Sequence, residues 1–181
     1  MPLVKTQAEG INLADTFAFS GTVSGVGTIL QTVNTSFTTQ TKVTATSYTD
    51  ITGASLAITP NFSSSKILII INFSSRVYDG NSTYCNGSFQ ILRGSTSLQS
   101  VPTDSSGGFE VGNFDSTGGS VELNHRYVNT ILDSPSTTSA TTYSVKMAVY
   151  GSAGGEIGVN LGSSTTGTST IILQEIAQWF Q

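Results

Sequence analysis

Apolar and polar side chains alternate along most of this chain, and the period of the alternation is two. In Thr141–Tyr150 the residues Tyr143, Val145, Met147 and Val149 fall on one face, and Thr142, Ser144 and Lys146 on the other. That is the pattern of a strand with one dry and one wet side. Lys66–Ile71 differs: it is apolar on both faces, so both need cover. The cover on the second side is either another subunit, or loops or the N-terminal segment of the same chain. The pattern predicts strands at Ile29–Asn34, Ser47–Ile51, Ala54–Thr59, Lys66–Ser74, Ser88–Arg93, Phe109–Val111, Val121–Leu132, Thr141–Tyr150, Glu156–Leu161 and Ser169–Trp179. Clusters of Gly, Pro, Asn, Asp and Ser separate them, as at Pro60–Ser65, Asp79–Ser82, Asp104–Gly108, Ser116–Ser120 and Asp133–Pro135. Helical periodicity is absent. The C-terminal run from Ile171 is the one candidate, and its β-branched first half reads as strand. Short strands with frequent turns predict an all-β, antiparallel β-sandwich or jelly-roll.

Residues 1–27 read differently. Phe17 and Phe19 alternate with small residues, and Gly21, Gly25 and Gly27 follow within seven positions. A segment this short cannot bury its own aromatic rings. The expected division is therefore an N-terminal extended arm over 1–27 and a sandwich head over 28–181. Phe17 and Phe19 are the expected contacts with a docking partner.

Composition sharpens this picture. Only 10% of the 181 residues are charged, against about 25% in ordinary domains, and Ser and Thr fill about three positions in ten. Recurring Phe, Tyr, Ile and Val argue for a folded chain rather than a disordered one. Seven Lys and Arg residues against eleven Asp and Glu give a net charge of −4. So dilute a positive charge argues against nucleic-acid binding and against adsorption to anionic membranes. The longest apolar run, Ile67–Ile71, is far shorter than a membrane span of about 20 residues, so no membrane insertion is expected. No charged-then-apolar leader opens the sequence. A single cysteine, Cys85, rules out an intramolecular disulfide and a cysteine-based zinc site.

Chemistry has few places to reside. His125 is the only histidine, and strand phase sets it beside Leu123 and Tyr127 rather than in a catalytic triad. No nucleophile elbow, phosphate loop or dinucleotide fingerprint occurs. Asp104, Glu110 and Asp115 lie in a Gly/Ser-rich stretch where oxygens could gather around calcium, but no EF-hand spacing is present. The expectation is a protein that is not an enzyme, with no catalytic residues, metal site or cofactor. Aromatic and cationic groups mix at Arg76, Tyr78, Tyr84, Arg93, Arg126 and Tyr127, as at interfaces and saccharide-binding surfaces. Tyr78 and Tyr84, beside a long polar loop, are the candidate receptor-facing residues. Ile67, Ile69 and Ile71 are the candidate subunit interface.

Four stretches carry a family resemblance: Ile58–Ile71 (Ile-Thr-Pro-Asn-Phe-Ser-Ser-Ser-Lys-Ile-Leu-Ile-Ile-Ile), Phe89–Gly94, Leu132–Tyr143 and Ser169–Ala177. Together with the opening Ile11–Gly25, they resemble a domain of marine and freshwater phage virion proteins, cyanophage proteins especially, described as tail-fibre or structural proteins. The resemblance implies a β-sandwich head, trimeric like many fibre knobs, and brings no catalytic residues.

The combined expectation is a bacteriophage virion structural protein, a short tail-fibre or receptor-binding subunit. It would dock by its arm, form a homo-oligomer such as a trimer, contact other virion proteins, and face a host-surface glycan from the particle exterior. The alternative is a capsid decoration protein that cements the phage head.

Overall fold

The computed structural model describes residues 27–80, 85–100, 120–151, 155–161 and 167–178. These form ten strands and no helix. In chain order they are β1 (Ile29–Phe37), β2 (Thr41–Val43), β3 (Thr49–Ile58), β4 (Lys66–Asp79), β5 (Cys85–Arg93), β6 (Thr96–Ser100), β7 (Val121–Asp133), β8 (Thr141–Gly151), β9 (Gly155–Val159) and β10 (Ser169–Ile176). Every pairing is antiparallel. The fold is an all-β sandwich of two sheets, as the alternation predicts.

The six-stranded sheet is organised around β4, whose fourteen residues make it the longest strand. β7 pairs along one side of β4, from Ile67↔Asp133 to Asp79↔Val121. The other side of β4 is divided. β10 pairs with its first part, Lys66–Asn72, and β9 with its last part, Ser75–Asp79. β1 flanks β10 and β2 flanks β9. The four-stranded sheet runs β3-β8-β5-β6.

The seam where β9 gives way to β10 is closed by Asn160 and Ser169. The Asn160 backbone N–H donates to the Ser74 carbonyl at 2.8 Å, and the Ser74 N–H donates to Ser169 Oγ at 3.0 Å. Ser169 Oγ in turn donates to Asn160 Oδ1 at 2.7 Å, while Asn160 Nδ2 reaches the carbonyls of Phe37 and Thr39. Asn160 has φ +59°, a left-handed conformation that Asn tolerates better than most residues.

Between the sheets lies one apolar core. Phe73 meets Phe37 and Phe89 edge-on, at centroid distances of 5.6 and 6.0 Å, and Tyr127 stacks on Phe89 at 4.2 Å. These are the offset geometries that aromatic quadrupoles favour. Tyr143, Val145, Met147 and Val149 face inward together, as their spacing predicts.

Strand boundaries depart from expectation where local signals mislead. Ser47–Ile51 and Ala54–Thr59 read as two strands but form one, β3, because Gly53 at φ +89° absorbs the irregularity without ending the strand. A Cβ on Gly53 would sit 2.9 Å from the Phe37 side chain, so the site also lacks room. β2 and β6 are short and polar and carry no alternation that marks them out. The strand expected at Phe109–Val111 lies outside the described residues.

Candidate functional site

On β4 the odd positions point inward and the even positions outward. Ile67, Ile69 and Ile71 are 0%, 1% and 0% exposed and belong to the chain's own core. This corrects their assignment to a subunit interface. The four-stranded sheet supplies their cover, and period-two alternation cannot tell an intramolecular cover from an intermolecular one. The face left open is the other one, carrying Leu68 and Ile70.

That outer face holds an apolar patch. Register places Leu68 beside Leu132 on β7, Ile70 beside Ile172 on β10, and Asn72 beside Val128. Ile176 sits opposite Ile29 at the β1 edge. Ile29, Val128 and Leu132 are 51%, 57% and 53% exposed and are the exposed large hydrophobic residues among those described. All three lie on this one face, with Leu68, Ile70, Ile172 and Ile176 among them and Lys66, Gln174, Asn72 and Thr130 interspersed. Isolated exposed apolar residues are ordinary; a band of them from β1 across β10 and β4 to β7 is characteristic of an interaction surface.

Farther along the same face the character changes. Glu156 on β9 accepts from Lys42 at 2.9 Å and pairs with Arg76, which also reaches Glu122 at 3.2 Å. The Arg76 guanidinium lies over the Tyr78 ring, 5.5 Å from its centroid. Tyr78 thus belongs to a charged ladder on the sheet face. Its receptor-facing partner Tyr84, and the arm residues Phe17 and Phe19, lie outside the described residues. The ladder neutralises its own charges, so it offers polar contact more than net attraction.

The outer face of the four-stranded sheet differs again. It carries Thr142, Ser144 and Lys146 from β8 and Asp50, Ser55 and Ala57 from β3, with Lys146 and Asp50 paired at 3.3 Å. By register the same side also holds Leu92, opposite Ser144, and Ala148, opposite Ser88, and both are buried. The wet, hydroxyl-rich part of this surface is therefore the part along β3 and the adjoining half of β8, and it contrasts with the apolar residues exposed on the six-stranded sheet.

Three buried polar clusters escaped sequence reasoning because their members lie far apart in the chain. Glu175 is fully buried and accepts from Gln31, Asn61 and the Phe62 backbone. Burial pushes its carboxyl up, but the hydrogen bonds from Gln31 and Asn61 outweigh that and hold it below the ordinary carboxylate value. Asp133 receives Arg93 Nη1 at 2.9 Å on both oxygens, and the Tyr143 hydroxyl at 2.7 Å. Burial raises the Tyr143 phenol strongly, and the neighbouring Asp133 adds to it. The Asn160–Ser169 seam is the third. These clusters tie the two sheets and their connecting segments together.

His125 faces inward, opposite Ser75 in register. Neither of its ring nitrogens, nor Ser75 Oγ, has a hydrogen-bond partner among the described residues. Burial pulls the imidazole below its usual pKa, against a smaller opposing pull from the neighbouring Leu123 backbone, which lies outside good hydrogen-bond geometry. With no acid oriented against it there, the pair has no triad geometry. Cys85 is buried, and burial pushes its thiol up to about 11, far from a reactive thiolate. Among the described residues no three His, Cys, Asp or Glu side chains gather as metal ligands. No helix among them is long and apolar enough to cross a membrane.

No protein-family model matches the chain, and no curated protein does. Among solved structures, it is similar to a mutant VP2 protein of infectious bursal disease virus from derived T=1 particles. The identity is 11% and the TM-score 0.39, over 90% of this chain and 40% of that one. The Gx strain of the same virus aligns with 11% identity and a TM-score of 0.38, over 90% of this chain and 42% of the other. The chain thus spans about two fifths of the length of these neighbours.

Proposed function

We propose that this chain is a virion structural protein of a bacteriophage, a short tail-fibre or receptor-binding subunit that assembles through one surface and presents another. The observation that carries this reading is the two-sidedness of the sandwich. One outer face exposes Ile29, Val128 and Leu132 with Leu68, Ile70 and Ile172 near them, and the opposite face along β3 and β8 is hydroxyl-rich with Lys146 and Asp50 paired. A body made to be packed on one side and wetted on the other needs such a division. The phage-like stretches at Ile58–Ile71, Phe89–Gly94, Leu132–Tyr143 and Ser169–Ala177 support it and point to the exterior of the particle.

In this reading the protein binds and assembles rather than catalyses. The arm over 1–27 joins the subunit to its neighbours, the head forms a homo-oligomer such as a trimer, and a host glycan is the outward-facing partner. Capsid decoration is the second reading, since a face made to be packed can seat the head on a shell as well as against another copy.

Copy number separates the two. Quantitative mass spectrometry of purified particles yields tens of copies for a tail appendage and hundreds for a decoration protein. For the receptor role, purified protein should block adsorption of phage to host cells. Absence of the protein from purified particles overturns both readings.

A further inference from the structure

The apolar band on the six-stranded sheet needs an occupant, and the chain outside the described residues contains a matching one. Ile11, Leu13, Phe17 and Phe19 recur on odd positions, with Asn12, Ala14, Thr16, Ala18 and Ser20 between them. Laid out as a strand, this stretch would have one strongly apolar face. Asp15 falls on that same face, and Glu9 precedes it.

Charge agrees with the pattern. Two cations bracket the apolar band: Lys66, in register with Ile176, and Arg126, beside Val128 on the same side of β7. The ion pairs among the described residues use Lys42, Arg76, Arg93 and Lys146, and leave Lys66 and Arg126 without a carboxylate. Among the described residues Arg126 donates to the Thr168 carbonyl. Glu9 and Asp15 supply the missing sign.

The path of the chain says where the arm begins. Gly27 donates to the Ala177 carbonyl at 3.2 Å, and Ala177 donates to that of Thr28 at 2.9 Å. The described residues thus begin at the end of β10, close to Ile29 and Ile176. From Phe19 to Gly27 the chain can reach roughly 26–29 Å. The band spans three strand spacings, about 14 Å. That reach lets the arm join a neighbouring subunit, as its reading as the joining element requires.

We infer that residues Ile11–Ser20 of one copy lie across the apolar outer face of the six-stranded sheet of a second copy, with Phe17 and Phe19 against Ile70, Ile172 and Leu132. The inference rests on the reading of the arm as the joining element and names its partner as this chain itself. Each copy gives an arm and receives one, a head-to-tail contact that closes into a ring if the rotation allows.

Site-directed cross-linking of the full chain tests it. Ala18→Cys keeps both aromatic rings, and Thr130→Cys lies on the exposed outer side of β7, in register with Ile70. Cys85, buried and with its thiol raised to about 11, stays silent to a short bis-maleimide. Isotopically distinguished single variants are mixed and treated. The expected product is a covalent dimer joining Ala18→Cys of one copy to Thr130→Cys of another. A control at Thr142→Cys, on the outer face of the other sheet, should link at least about tenfold less, because only a docked arm raises the effective concentration at one face. Adding Phe17→Ser and Phe19→Ser should lower the yield about tenfold or more, since both rings would leave the apolar face.

Equal linking to Thr130→Cys and Thr142→Cys overturns the inference, as does no linking at all. Linking confined to one chain, seen when a double variant is diluted into excess wild type, also overturns it and assigns the face to the parent's own arm. If linking fails but the protein is found on purified particles, the arm's partner is wrong and the virion reading stands. Linking by a protein that particles lack has the opposite meaning.

Discussion

Asn61 grips Glu175 twice, from its backbone N–H to Oε1 at 2.8 Å and from its side-chain amide to Oε2 at 2.7 Å. The two residues stand 114 positions apart, and Gln31 adds a third bond to Oε2 at 2.7 Å. A single fully buried carboxylate thus ties β10 to the turn before β4 and to β1. Glu175→Gln keeps the shape but sets an amide N–H₂ against donors. It should lower stability by about 2–3 kcal/mol, the cost of leaving buried groups unsatisfied. Urea unfolding, with an unchanged slope, measures it.

The same site fixes an acid limit. The folded Glu175 pKa lies below the ordinary 4.5, so the unfolded chain takes up the proton first. Its contribution is fully present above pH 4.5 and is lost as the pH falls through the folded value. Wild-type stability should therefore drop below pH 4.5, and the Glu175→Gln variant should lose less over that range.

His125 acts at higher pH. Its folded pKa is lowered from 6.5, so stability falls as the pH drops below 6.5, where the unfolded imidazole binds a proton and the buried one resists. His125→Phe removes two nitrogens that lack partners among the described residues. It should leave stability at pH 7 unchanged or raised, and should abolish the loss between pH 6.5 and 5. A large destabilisation at pH 7 would mean that the imidazole has a partner.

Ile71→Ala tests the corrected burial assignment. Its side chain lies in the intramolecular core, so the substitution should cost about 2–5 kcal/mol. The loss should not vary with protein concentration. A concentration-dependent change in the unfolding midpoint would return this residue to a subunit interface.

Asn160→Ala should cost about 2–3 kcal/mol, because it strips the Phe37 and Thr39 carbonyls and Ser169 Oγ of their partner and puts Ala at positive φ. Hydrogen exchange should quicken first at the Ser74 and Asn160 amides, where β9 and β10 abut. Uniform quickening across both sheets would contradict a local role for this seam.

Much of this architecture was legible in the residues. Tyr143, Val145, Met147 and Val149 announced the dry face of β8, and the β-branched residues after Ser169 identified β10. Pro135 correctly closed β7 near Asp133. Short, polar β2 and β6 carried no such alternation; they are strands because β9 and β5 offer them open edges to pair with. Arg93 stands in the sequence among the mixed aromatic and cationic groups of an interface, yet it holds Asp133 through both carboxylate oxygens.

By itself the sequence determined that the chain is built of strands and which residues share a side of each, because side-chain direction alternates with every residue. Only the tertiary structure decided which side is covered and by what. It turned Ile67, Ile69 and Ile71 toward the chain's own second sheet and left Leu68, Ile70, Val128 and Leu132 outside. It also joined Gln31, Asn61 and Glu175 around one carboxylate. Alternation is a local property of the backbone, whereas cover and polar pairing depend on which distant strands become neighbours. That choice is fixed only when the whole sandwich closes.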